Sequence, residues 1–141
     1  MPKATFKITY SDAKSLMNEA VKSAKHHHVP GAIAIVDEGG NLLLLESLDN
    51  TMSSASKIAI GKAATAAAFK RPTKAIEDVV LEGRTPMLVL DSATSESYIP
   101  LKGGYPIWYK DELVGAIAVA GTMDAEMDEV VVLEALENKN W

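Results

Sequence analysis

The sequence contains no cysteine, which removes disulfide frameworks, thiolate nucleophiles and Cys-ligated zinc or iron–sulfur centres. Aromatic residues are scarce at 6%, so Ala, Val, Ile and Leu must fill any core. No apolar run approaches the ~18 residues of a membrane-spanning helix. The first residues, Met1-Pro2-Lys3-Ala4-Thr5-Phe6-Lys7, contain no apolar targeting segment. Positive charge is not in excess either: 14 basic residues stand against 19 acidic ones, for a net charge of −5. A general nucleic-acid or membrane-surface binder carries a basic patch instead. Internal repeats, linkers and low-complexity tracts are absent. A cytoplasmic domain with neither nucleic-acid nor membrane partners is the expectation. With 48% hydrophobic residues, the 141 residues read as one domain, 1–141, able to bury roughly two thirds of its unfolded surface.

Thr9 or Ser11 can cap a first helix in which Ala13, Leu16, Met17, Ala20, Val21 and Ala24 recur at the spacing of one buried face. It should fade at His26-His27-His28 and stop before Val29-Pro30. Gly31–Val36 and Leu42–Leu48 read as paired strands about Asp37-Glu38-Gly39-Gly40-Asn41, whose residues tolerate positive φ. Both strands are nearly continuously apolar, which predicts helices or another subunit over both sheet faces. A second helix over Ser53–Lys70 carries a small-residue face, Ala55, Ala59, Ala63, Ala66 and Ala67. Pro72 interrupts it, and Thr73 is a cap for a short helix, Lys74–Glu82, ended by Gly83. Met87–Leu90 reads as a strand and Ser92–Leu101 as a polar loop. Tyr105–Lys110 and Leu113–Ala120 pair about Asp111-Glu112, and a last helix runs from Asp124 to Asn138. The order α-β-β-α-α-β-β-β-α, dominated by hairpins, indicates an α+β protein with an antiparallel sheet rather than a βαβ unit.

Chemistry is less legible. Gly39-Gly40 leads into a strand rather than a helix N-terminus, so it fits a hairpin turn and not a phosphate cradle. Gly103-Gly104, followed by Tyr105-Pro106, fits either a ligand-facing loop or a bulge at a strand start. The histidines are the run His26-His27-His28; consecutive helical positions point about 100° apart, so at most one or two could ligate one ion, and a solvated helix end accounts for the rest. Ser54-Ala55-Ser56-Lys57 matches S-x-x-K but lacks the companion motifs. Lys62 shares a stripe with Ile58, Thr65 and Phe69. Two readings stand open for it: an amine with lowered pKa holding an anion or catalysing, or a snorkelling surface lysine. Asp124-Ala125-Glu126-Met127-Asp128-Glu129 lacks EF-hand spacing and complements a helix N-terminus.

Taken together, certain landmarks resemble the GlcG/HbpS family, the haem-degrading domain also found as the C-terminal part of PduO-type proteins. They are Ala32–Leu45 with its central Asp37–Asn41, Asp49, Lys62–Ala67, Phe69, Arg71-Pro72-Thr73, Gly103-Gly104-Tyr105-Pro106-Ile107, Val114–Ile117 and Asp128-Glu129. Their order and spacing, across nearly the whole chain, carry the likeness. The chain departs from the family pattern at Ser47-Leu48-Asp49-Asn50, at Ala118-Val119-Ala120-Gly121, where a hydroxyl is lost, and at Asp111-Glu112.

The resemblance implies a profilin-like three-layer α/β/α fold with a five-stranded antiparallel sheet, and dimer-based homo-oligomers. It also implies haem or another tetrapyrrole as ligand. On that reading His28, or another of its run, or Tyr105 is the axial ligand. Lys62 or Arg71 pairs with a propionate, and Gly103, Gly104 and Tyr105 shape the pocket. The alternative is an enzyme or accessory protein acting on a small carboxylate or carbonyl metabolite of glycolate- or propanediol-type pathways. There Lys62 is the electrophile or anion anchor, with Asp49 or Asp128 as acid–base group.

Overall fold

The computed structural model describes residues 1–94, 97–122 and 124–141. Helix α1 spans Tyr10–His26, capped by Thr9: its hydroxyl accepts the Asp12 N–H at 3.0 Å while the Asp12 carboxylate accepts the Thr9 N–H at 3.3 Å. This reciprocal pair satisfies donors that a helix start otherwise leaves free. Strands β1 (Ala32–Asp37) and β2 (Leu42–Ser47) follow as an antiparallel hairpin. At the turn, Asp37 Oδ1 accepts the N–H groups of Gly39 and Asn41, both at 2.9 Å, and Gly40 adopts φ 82°. The Gly39-Gly40 pair is therefore a hairpin device. Helices α2 (Ala55–Phe69) and α3 (Thr73–Leu81) lead through a 3-10 helix, Thr85–Ala93, to β3 (Gly104–Tyr109), β4 (Glu112–Ala120) and α4 (Ala125–Asn138).

The sheet is antiparallel in the order β2-β1-β4-β3. Alternation along β1 and β4 sorts its two faces. Ile33, Ile35, Ile117 and Val119, with Ile107 from β3, join Leu16, Met17, Val131 and Val132 of α1 and α4 in one core. Ala32, Ala34, Val36, Ala116, Ala118 and Ala120 face Ala55, Ala59, Ala63, Ala66 and Ala67 of α2 in the other. The result is a helix–sheet–helix sandwich. The alanine-on-alanine interface lets the α2 backbone approach the sheet closely, and it leaves no room for growth. Ala63→Leu is expected to cost about 1–3 kcal/mol by overpacking, read as a lower urea midpoint at unchanged slope.

Four strands form this sheet among the described residues, not five. Met87–Leu90 lies within the 3-10 helix, which has Pro86 in its first turn. The proline fixes φ and supplies no N–H, so the apolar run turns instead of pairing. Leu88 and Val89 stay exposed at 53% and 62%. Ser92 and Ala93 continue that helix rather than opening the expected loop, whose residues 95 and 96 lie outside the described residues. Covering of both faces holds for β1, which is buried through Val36. Within the single chain it does not extend to β2, where Leu42, Leu43 and Leu45 are exposed on an edge strand. The second hairpin turns on Lys110-Asp111, at φ 48° and 65°, with Glu112 already in β4. Thr73 does not cap α3; Pro72 holds that position, and the Thr73 hydroxyl is directed elsewhere. Val130–Leu133, strand-like alone, is helical as expected within α4. Among the described residues, no helix is long and apolar enough to cross a membrane.

Candidate functional site

Two places gather the candidate residues. The first is a buried polar knot where β3 begins. Lys62 on α2 is only 3% exposed, and its Nζ donates to the Val119 carbonyl at 3.0 Å and to Asp128 Oδ2 of α4 at 3.2 Å. Gly103 makes this possible: a Cβ there would lie 2.8 Å from the Val119 oxygen and 2.9 Å from Lys62 Nζ. Gly104 presses equally close on the Lys62 carbonyl, and the Thr73 hydroxyl accepts the Gly104 N–H at 2.9 Å. The next residue, Tyr105, donates its phenol to Glu129 Oε1 at 3.1 Å. Burial first, and then the Glu129 charge, push the Tyr105 pKa up to about 12. The phenol thus stays protonated at neutral pH.

Burial also raises the Asp128 pKa above the ordinary carboxylate value, although Lys62 and Thr122 pull it down. The Thr122 hydroxyl donates to the Asp124 carbonyl, and Asp128 Oδ1 has no hydrogen-bond partner among the described residues. The acidic run at the start of α4 divides between separate tasks. Asp124 caps the helix by accepting the Glu126 N–H at 2.9 Å, Glu126 pairs with Lys102 at 2.6 Å, Asp128 meets Lys62 and Glu129 meets Tyr105. No three His, Cys, Asp or Glu side chains converge for a metal among the described residues.

The second place is an open groove where α1 gives way to β1. Helix α1 ends at His26, His28 reverses the chain at φ 56°, and Asn50 does the same at φ 66° after β2. Two bonds stitch these loops: Leu48 N–H to the Gly31 carbonyl at 2.9 Å, and Gly31 N–H to the Thr51 hydroxyl at 2.8 Å. Between them lies a cavity of about 530 Å3 lined by Lys25, His28, Ser47, Asp49 and Asn50, among others. Across Val29, Pro30 and Asn50, which line both, it adjoins a cavity of about 480 Å3 with Met52 and Met127 in its wall. The first cavity mixes polar and apolar walls, and the second is mostly apolar.

Of the expected site residues, the structure brings Lys62, Asp128, Gly103, Gly104 and Tyr105 together in the knot, and His28 and Asp49 together in the groove. Arg71 belongs to neither; it is exposed beyond α2, its Nε donating to the Phe69 carbonyl. The three histidines also part company. His27 Nε2 lies 2.5 Å from Glu134 Oε1, and Ser23 donates to Oε2 of the same carboxylate at 3.0 Å, joining α1 to α4. That hydrogen bonding holds the Glu134 carboxyl below its usual range. His26 is exposed on the helix surface, and the His28 ring makes no hydrogen bond among the described residues. Lys25, Pro30, Met52 and Met127 were missed in the sequence. Nothing local marks them, because the groove exists only once two loops 20 residues apart are stitched at Gly31 and Thr51.

The family model "Haem degrading protein HbpS-like" matches residues 8–137. Protein GlcG of Escherichia coli K12 is 32% identical over 108 residues, covering 77% of each chain. The crystal structure of Klebsiella pneumoniae protein ORFY superposes with a TM-score of 0.85 at 28% identity, covering 97% of this chain and 94% of that one. That of a PduOC:heme complex superposes with a TM-score of 0.86 at 27% identity, covering 96% of both. A model match over all but the two ends, with a GlcG relative and these folds beside it, settles the family: the chain belongs to the HbpS-like family.

Proposed function

We propose that the chain binds haem, or a related tetrapyrrole, in the groove beside the end of α1, with His28 as axial ligand. The observation that carries this is an unengaged imidazole in the wall of the first cavity, next to Val29 and Pro30, which continue into the second. Neutral imidazole is a standard haem ligand, and Val29, Pro30, Met52 and Met127 offer apolar surface for a macrocycle. Lys25, in the wall of the first cavity, supplies the cation for a propionate, a role that Lys62 leaves open by its commitment to Asp128. Asp49, the acid–base candidate of the metabolite alternative, lines the same cavity. Bound haem supplies redox and oxygen chemistry; the protein supplies ligation, orientation and exclusion of water. The fit of these donors, together with a relative solved as a haem complex, favours this reading over the metabolite alternative.

The reading includes association into a dimer-based homo-oligomer. The exposed Leu42, Leu43 and Leu45 of the β2 edge, Leu81 at the end of α3, and Leu88 and Val89 of the 3-10 helix are apolar surface that partner copies would cover. An optical haemin titration tests the ligand assignment. A saturable Soret band is expected in the unaltered chain and in His26→Ala, with at least a tenfold loss of affinity in His28→Ala. No band at stoichiometric haemin, or an unchanged band in His28→Ala, overturns it.

A further inference from the structure

We propose that a second site, between the residues preceding α1 and the β3–β4 hairpin, binds a small planar aromatic carboxylate. It stands on observations separate from the haem reading. A cavity of about 250 Å3 opens between the rings of Phe6, Tyr109 and Trp141, with Ile8 and Val114 contributing aliphatic surface. That volume is at or below the small end of ligand sites, about 300–1,000 Å3, so it admits a single-ring molecule and excludes a macrocycle. The walls are ordered by contacts of their own. Phe6 meets Tyr109 edge-on at 4.9 Å, its N–H donates to Glu112 Oε2 at 3.0 Å, and Trp141 packs against the α1/α4 core. A flat ring entering here gains aromatic contacts on several sides.

Two further features select the charge. Lys110 Nζ lies 5.6 Å and 5.5 Å from the Phe6 and Tyr109 ring centres; Lys7, paired with Glu38 at 3.8 Å, and Asp12 both line the cavity. Lys139 Nζ lies 4.7 Å from the Trp141 ring centre while donating to the Trp141 carbonyl. The nearby carboxylates are engaged by backbone donors: Asp12 by Thr9 and Glu112 by Phe6. Lys110, which has no carboxylate partner among the described residues, is therefore the cation that selects an anion, against the charge of Asp12 in the wall. In addition, the Trp141 Nε1–H is buried with no acceptor among the described residues. An unpaired buried donor is destabilising, and a carboxylate oxygen seated beside the indole removes that cost once the ring tilts toward the cavity.

The sequence holds two tryptophans, so Trp108→Phe leaves Trp141 as the sole indole reporter in the full chain. Titration of that variant with benzoate, benzamide and benzylamine, followed by tryptophan emission, tests the site. A saturable change at millimolar benzoate is expected, at least tenfold weaker for neutral benzamide and weaker again for cationic benzylamine. Adding Lys110→Asn, a residue type suited to the positive φ at that position, should weaken benzoate at least threefold. Adding Ile8→Phe, which narrows the cavity, should abolish the change while thermal unfolding confirms an intact fold. No saturable change with benzoate overturns the site. Equal binding of all three probes overturns the anion assignment, and binding retained in Ile8→Phe overturns the location.

Discussion

Replacing Lys62 by methionine is expected to cost about 3–5 kcal/mol at neutral pH, the usual consequence of stranding one member of a buried ion pair. Lys62 Nζ is the cation that Asp128 Oδ2 meets, at 3.2 Å, and both side chains are 4% exposed. Removing it leaves a carboxylate whose other oxygen already has no hydrogen-bond partner among the described residues. The pH dependence has a definite sign. Burial holds the folded Asp128 pKa above its unfolded value even with Lys62 present. The group's stabilising contribution is thus complete below the unfolded pKa and is lost as pH rises through the folded one. Lys62→Met removes an influence that lowers that pKa, so the penalty should shrink in mildly acidic buffer, where Asp128 can fold protonated. Replacing the pair together, Lys62→Met with Asp128→Leu, should be neutral or stabilising by about 1–4 kcal/mol. Urea unfolding of the three proteins at neutral and acidic pH measures all of this. A Lys62→Met protein as stable as the parent at neutral pH would show that the pair holds nothing.

The Lys62 result separates what could be read from the chain from what could not. The stripe of Ile58, Lys62, Thr65 and Phe69 left the amine open between a buried and a snorkelling reading, and the structure buries it. Its partner lies 66 residues away on α4, and no spacing rule connects the two. The same holds for Thr73. Next to Pro72 it reads as a helix cap, but tertiary contact gives its hydroxyl the Gly104 N–H instead. The elements themselves were legible wherever turn chemistry and periodicity agreed: the cap at Thr9 or Ser11 of α1, which falls to Thr9, Asp37–Asn41 at the first hairpin, the alanine face of α2. They misled at Met87–Leu90, where a β-like apolar run sits behind Pro86 and the backbone constraint wins over side-chain propensity. The histidine run shows the limit for sites. Three adjacent identical residues have three different environments, and only the α1/α4 packing against Glu134 and the reversal at His28 tell them apart.

Gly103→Ala is the substitution that tests whether the Gly103–Gly104 pair is a conformational requirement of the knot. Gly103 has φ 120°, a region that L side chains avoid at a cost of about 1–3 kcal/mol. A methyl group there would also stand 2.8 Å from the Val119 oxygen, 2.9 Å from Lys62 Nζ and 3.1 Å from Asp128 Cβ. The lysine end could move aside, but the Val119 carbonyl is fixed by β4, and the backbone between them is held because Val119 N–H donates to the Gly103 carbonyl at 3.0 Å. Strain and clash together should cost about 3 kcal/mol or more, among the larger effects of a single substitution. Part of that cost is displacement of Lys62 from Asp128, so Gly103→Ala and Lys62→Met disrupt one interaction in two ways. Their combined cost should therefore fall short of the sum by about 0.5–3 kcal/mol, the range for residues in direct contact. Strict additivity in urea unfolding would mean that the glycine serves the β3 start alone. Subadditivity ties the close backbone approach at Gly103 to the buried ion pair that joins α2 to α4.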